Sequence, residues 1–340
     1  MSNTLVIHVG VPKTGSTSIQ KFLFENRGVL KKMGLEYHET HSVDRFNPDY
    51  WAHHLLAHKW GGWMNPKDYP ISPDKAWDVL KNDLSFGENR TVLISSERFS
   101  DILSGPSSEK VFEFIKATLP NVNIKIMAYL RNQVSLVESF YKQQVKVGMS
   151  VLPLKDYLEI QTPDFLNYYE FFKGCSHFIG KDNIIFRSYE NDILSNSNII
   201  CSFLKQFEIE LPSRFYKKEE RYNESTSTLS TALLSHPDLR KTQQRRRYRN
   251  AIRKLFDEQR TLNNTKPSLL SDVQKEYVKE KYQYSNGQLP TFFCGLDSSV
   301  FMYLDECPKT DHLEDVKFLI SYREMLEFIK VFNEDLSDLP

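Results

Sequence analysis

Short apolar runs alternate along the chain with stretches whose apolar residues recur at helical spacing. Leu5, Val6, Ile7 and Val9 form one run; residues 90–95, 123–130 and 183–188 form others. Runs apolar on both faces suit buried parallel strands. Helical periodicity is predicted within the strand–helix unit 4–35, then from about 73 to 86, 107 to 119 and 132 to 148. Shorter helices are predicted at 154–158, 165–174 and 198–207, while 36–72, rich in His, Trp, Tyr, Asn and Pro, reads as irregular. Alternating strands and helices imply an α/β protein with a central parallel sheet covered by helices. Residues 236–340 read as mostly helical, with an irregular aromatic section around 288–303. The expectation is one domain over 1–340, with a core at 4–230 and a helical C-terminal extension, 231–340, packed on it.

The first strand runs into a loop bracketed by Gly10 and Gly15, where backbone can approach a ligand closely. Ser16, Thr17 and Ser18 then open a helix continued by Ile19, Phe22 and Leu23. Unbonded amides at a helix start, hydroxyl donors and Lys13 in the loop together make an anion site. A nucleoside-triphosphatase loop places Lys and Ser or Thr directly after its second glycine. Here Ser16 follows Gly15 and the lysine comes earlier. This arrangement, Pro12, Lys13, Thr14, Gly15, Ser16, Thr17, Ser18, resembles the 5′-phosphosulfate loop of sulfotransferases that use 3′-phosphoadenosine 5′-phosphosulfate (PAPS; product PAP).

The run at 123–130 leads into Arg131, with Ser139 eight positions on. An arginine fork holds a phosphate through two parallel hydrogen bonds. Eight helical residues rise about 12 Å, so both side chains meet one phosphate only if the helix start folds across it. The pair resembles the same family's 3′-phosphate motif. Tyr189 and Glu190, after the strand at 183–188, resemble its later Tyr-Glu pair. The polar loop 217–225, with Arg221, Asn223 and Ser225, resembles the loop that closes over the adenosine in these enzymes; a solvated charged loop is the ordinary alternative. Residues 268–286, ending in Ser285 and Asn286, are similar to the C-terminal helix of bacterial carbohydrate-type sulfotransferases. The resemblance implies a P-loop NTPase-like sulfotransferase fold, PAPS as donor and no metal.

Composition narrows the partners. The 340 residues carry a formal net charge of zero, so no global field steers the chain to nucleic acid. No signal-peptide pattern and no apolar run of about 18 residues occurs, which predicts a cytoplasmic protein without a transmembrane segment. Cys175, Cys201, Cys294 and Cys307 show no metal-ligand spacing and read as thiols in a reducing compartment. A basic cluster at 240–254 reads as a solvated helix face or as a peripheral contact with an anionic glycan or membrane surface.

Sulfuryl transfer needs in-line positioning, charge neutralisation on the leaving phosphate and a base for the attacking hydroxyl. Lys13 is the candidate for the leaving-group charge; Pro12 to Ser18 would hold the 5′-phosphate, and Arg131 and Ser139, by the resemblance, the 3′-phosphate. Glu97, at the carboxyl end of the 90–95 strand, is the first candidate base, with an ion pair or helix-start carboxylate as its ordinary role. Cytosolic sulfotransferases end the comparable strand in a catalytic histidine. Heparan-type enzymes place a Glu or His after the first helix, where this chain offers Glu36, His38, Glu39, His53 and His54. His53 and His54 are the second candidates. His8 reads as a hydrogen-bonded core histidine. The acceptor expected is a carbohydrate or glycolipid hydroxyl, with Tyr50, Trp51, Trp60, Trp63 and Tyr69 able to stack on sugar rings or to pack in the core. The alternatives are a nucleotide-dependent kinase with a degenerate loop and a non-catalytic PAP- or glycan-binding module.

Overall fold

The computed structural model describes residues 2–40, 51–61, 70–87, 89–147, 152–194, 198–216, 227–235 and 267–313. Strand β1 (Thr4–His8) leads into helix α1 (Ser16–Lys32) and the short β2 (Leu35–Tyr37). Helices α2 (His54–Ala57) and α3 (Pro73–Leu84) precede β3 (Thr91–Ser95), α4 (Arg98–Ser104), α5 (Ser108–Thr118) and β4 (Asn123–Leu130). Next come α6 (Gln133–Val147), α7 (Leu154–Ile160), α8 (Tyr168–Ile179), β5 (Ile184–Ser188), α9 (Tyr189–Leu194) and α10 (Ile199–Lys205). Helices α11 (Thr228–Ser235) and α12 (Asp272–Phe292) carry most of the described C-terminal part.

The sheet order is β2-β3-β1-β4-β5, and every pairing is parallel. The predicted central parallel sheet flanked by helices is therefore present. Val6, Leu93, Met127 and Tyr129 point to one face, where Ile19, Phe22 and Leu23 of α1 and Ile199 and Phe203 of α10 cover them. Side chains alternate along a strand, so Phe186 faces the other way from Ile185 and meets Phe172 of α8 at a ring separation of 4.7 Å. Each fully buried large apolar side chain contributes about 1.5–3 kcal/mol.

Local sequence explains the helix starts. Ser72 caps α3 by accepting from the Lys75 amide, with Pro73 at the first helical position. Asn167 caps α8 through the Glu170 amide. The structure adds β2, α2, α4 and α9 to the elements predicted, with β2 running into the stretch expected to be irregular at 36–72 and α2 lying inside it. Each is short, at three, four, seven and six residues, which is too little to establish a period.

The chain divides into two compact units. The first gathers Met1–Asn132, Pro163–Tyr222 and Tyr282–Asp305 and holds the whole sheet. Within it, Asn132 Nδ2 donates to the carbonyls of Tyr303 and Leu304, and Asn286 Nδ2 donates to the Leu304 carbonyl and Asp305. Ser285 Oγ accepts from the Tyr169 amide. The second unit gathers Gln133–Thr162, Asn223–Lys281 and Glu306–Pro340. There Glu138 of α6 accepts from Lys142, Ser268 and the Leu269 amide, at 2.6, 2.6 and 3.2 Å.

Candidate active site

The strand order reverses between β1 and β4, and ligands of open α/β sheets bind outside the carboxyl ends of strands at such a point. Two sequence-predicted segments meet there. The loop from Gly10 to Gly15 leaves β1 with three left-handed residues: Gly10 (φ 49°), Lys13 (φ 67°) and Gly15 (φ 80°). Gly15 caps α1 without a side-chain bond, and its carbonyl accepts from the Ile19 amide at 3.1 Å. The amides of Ser16, Thr17 and Ser18 thus fall in the turn that lacks intrahelical acceptors, and that first turn carries no acidic residue to neutralise the positive helix end. Thr14 is buried and donates its hydroxyl to the Val11 carbonyl at 2.6 Å, so that side chain shapes the loop. A Cβ at Gly15 would come within 2.8 Å of Ile199 Cδ1, whereas one at Gly10 would only touch the Glu97 backbone at 3.4 Å.

Arg131 follows the last residue of β4 and reaches this loop. Its Nη1 donates to the Lys13 carbonyl at 2.5 Å. Its guanidinium lies 4.7 Å from the Tyr189 ring centroid, and Nε is 3.9 Å from Glu190 Oε1. Glu190 Oε1 also accepts from the Asn132 amide at 3.1 Å. The Arg131 main chain is held on both sides by the buried Tyr168 hydroxyl, which accepts from its N–H at 3.2 Å and donates to its carbonyl at 2.7 Å. Nε of Arg131 is buried and has no hydrogen-bond partner among the described residues. A buried donor of this kind fits an anionic group such as a phosphate.

At the carboxyl end of β3 the base candidates form a polar network. Glu97 stands at the N-cap position of α4 without a side-chain capping bond, its side chain 23% exposed. Its Oε2 accepts from Gln20 Nε2 at 3.1 Å, and its Oε1 lies 3.9 Å from His54 Nε2. His54 Nδ1 is 2.7 Å from Ser96 Oγ, which accepts from the Arg98 amide. Gln20 also donates to Ser95 Oγ, and Ser95 Oγ sits 2.7 Å from His8 Nδ1. Burial opposes the Glu97 charge, yet His54, the Gln20 amide, its own backbone amide and Arg98 outweigh it and hold the carboxyl below the usual range. Burial pushes the His8 imidazole down to about 4, against a smaller opposing effect of Glu97. Asp101, one turn beyond Glu97, is pushed up to about 6 by burial and the Glu97 charge, partly offset by Arg98.

His53 faces elsewhere. Its Nε2 is 2.9 Å from the His38 carbonyl and its Nδ1 accepts from the Ser95 amide at 3.1 Å, so main-chain atoms engage both ring nitrogens. Glu36 pairs with Lys31 and Arg90, and His38 Nδ1 lies 2.8 Å from Thr40 Oγ1, while Glu39 is exposed. Ser139 is half-buried on α6 in the second unit. Trp51 gives its carbonyl to the Tyr37 hydroxyl, and Trp60 packs edge-on against Trp77 and Phe114. Arg221, Asn223, Ser225, Tyr50, Trp63, Tyr69 and the cluster at 240–254 lie outside the described residues.

No protein-family model matches the chain. It is 31% identical over 144 residues to an uncharacterized protein of Archaeoglobus fulgidus, a match covering 42% of this chain and 37% of that protein. The chain thus spans little more than a third of that relative's length. Among solved structures it is similar to a sulfotransferase from Alicyclobacillus acidocaldarius, with a TM-score of 0.47 and 12% identity over 88% of this chain and 99% of that one. It is also similar to the sulfotransferase domain from the curacin biosynthetic pathway, with a TM-score of 0.38 and 13% identity over 68% and 82%. Neither likeness supplies a residue role here.

Sequence reading passed over Gln20, Ser95 and Ser96. Gln20 is a buried polar residue between Ile19 and Phe22 on the inner side of α1, and that interruption of an apolar stripe was its available signal. Among the described residues no group of three or more His, Cys, Asp or Glu is placed to hold a metal ion, and no helix is long and apolar enough to cross a membrane.

Proposed function

We propose that this protein is a sulfotransferase that moves a sulfuryl group from PAPS to a hydroxyl of a carbohydrate or glycoconjugate. The observation that carries the reading is the meeting of the β1 loop and Arg131 at the strand-order switch, with Lys13 in mid-loop and no lysine after Gly15. Motif resemblance at both segments supports the donor's identity. PAPS, when bound, supplies the activated sulfuryl group and PAP as leaving group. The loop amides and the hydroxyls of Ser16, Thr17 and Ser18 hold the 5′-phosphate, and Lys13 neutralises charge on the leaving oxygen. Arg131 takes the 3′-phosphate; Ser139 is assigned there by resemblance alone. Glu97 or His54 accepts the acceptor's proton as the new oxygen–sulfur bond forms and the sulfur–oxygen bond to the phosphate breaks. Of the two adjacent histidines, His54 is favoured because both nitrogens of His53 engage the main chain.

Calorimetric titration with PAP, beside ATP plus magnesium, tests this reading. Micromolar binding of PAP with none of ATP supports it, and a sugar screen for the acceptor follows. Binding of ATP without PAP replaces it with a kinase-like protein carrying a degenerate loop. PAP binding with no transfer to any acceptor or to water would favour a non-catalytic binding module.

A further inference from the structure

We infer that Arg131 is a positioning residue that fixes the phosphate loop through the Lys13 peptide, in addition to any anion its fork receives. The functional meaning of this rests on the donor-site reading above. Lys13 is not glycine, yet it sits at φ 67°, a conformation that L side chains adopt at a cost. Such a residue persists where its surroundings over-determine it. The Arg131 Nη1 bond to the Lys13 carbonyl bears directly on that peptide, because a turn of the residue to right-handed or extended backbone swings the carbonyl away.

The arm that makes this bond is itself fixed. Tyr168 holds the Arg131 main chain from both sides, the Tyr189 ring lies beneath the guanidinium, and Glu190 ties the next residue's amide. The end of β4 therefore anchors the loop that leaves β1, across the point where the strand order reverses. A guanidinium carries five N–H donors. One is spent on Lys13, and the buried Nε, 3.9 Å from Glu190 Oε1, has no hydrogen-bond partner among the described residues. The same side chain can shape the loop on one edge and take an anion with its remaining donors. The loop and the Arg131 anion site are then coupled, and the coupling is reciprocal.

A ligand without a 3′-phosphate separates this role from simple anion binding. Wild-type protein and Arg131→Ala are compared by amide hydrogen exchange over residues 10–18 in the free protein, and by calorimetry with adenosine 5′-phosphate and with PAP. Thermal melts check that each variant is folded. The expected result is faster exchange confined to the loop. Affinity for adenosine 5′-phosphate falls about fivefold to tenfold, as the fraction of loop in its competent shape falls, and affinity for PAP falls further. Loss of PAP affinity alone, with loop exchange and adenosine 5′-phosphate binding unchanged, overturns the inference and leaves Arg131 a 3′-phosphate ligand only. Should Arg131→Ala not fold, Tyr168→Phe puts the same question, since that hydroxyl is assigned no contact with a nucleotide. If wild-type protein binds neither nucleotide, the donor reading falls, and loop exchange alone decides whether Arg131 positions Lys13.

Discussion

Glu97 keeps its charge at a place where burial works against it, because Gln20 and His54 face its two oxygens. A carboxylate that is ionised at neutral pH can take a proton from an acceptor hydroxyl. Glu97→Gln is expected to slow the chemical step by about 10²- to 10⁴-fold with PAP affinity kept. His54→Ala, measured beside it by single-turnover sulfuryl transfer to water or to an identified acceptor, identifies the base by the larger loss. Lys13→Ala is expected to lower kcat by about 10²-fold or more; normal turnover without this side chain removes it from the mechanism. His8 gives a pH dependence. The folded state keeps it neutral down to about pH 4, whereas the unfolded chain protonates it near 6.5. Between those values the unfolded state binds more protons, so stability is lost as pH falls from 6.5 towards 4. The contribution is up to about 3 kcal/mol. Urea midpoints at pH 7 and 4.5 should lie closer together in His8→Asn than in the wild type; an equal gap would mean that other groups set the acid limb. At this scale the sequence announced Lys13, Arg131 and Glu97, because each stands at a strand end or in a glycine-bracketed loop. It could not divide the roles of His53 and His54, since neighbouring residues point in different directions and only their partners distinguish them.

Elements place those residues. Helix α1 reaches its position because Gly15 adopts φ 80° while Ile199 of α10 packs where a Cβ would stand. Gly15→Ala is expected to cost about 1–3 kcal/mol through backbone strain and overpacking. An unchanged urea midpoint would show that loop and α10 yield freely. This start of α1 was legible, since Gly15, three hydroxyl residues and a 3.6-residue apolar stripe coincide there. Strand β2 was not. Leu35 and Tyr37 are buried, but three residues carry no period, and pairing with β3 makes the strand. Helix α4, which delivers Glu97 at its cap, was missed for the same reason, so the strand end was visible while the turn that aims the carboxylate was not.

Whole-molecule order was the least legible property. Alternating elements imply a parallel sheet, but the order β2-β3-β1-β4-β5 depends on which flank of β1 each connection takes, and a periodic pattern does not encode that. The same holds for residues 282–305. They fall within the stretch expected as a C-terminal extension, yet they group with the sheet-bearing unit. Their contacts fall close to Arg131: Asn132, next to it, donates to the Tyr303 and Leu304 carbonyls, and Ser285 takes the Tyr169 amide beside Tyr168. Removing them leaves the Asn132 and Tyr169 groups to find water, and frees the end of β4 and the start of α8 together. A fragment ending at residue 230 is therefore expected to lose cooperative urea unfolding and, with it, PAP binding, although it retains all five strands. If that fragment unfolds in one sharp transition and binds PAP as the full chain does, the second half of α12 and the turns after it are dispensable, and Arg131 is fixed by Tyr168, Tyr189 and Glu190 without them.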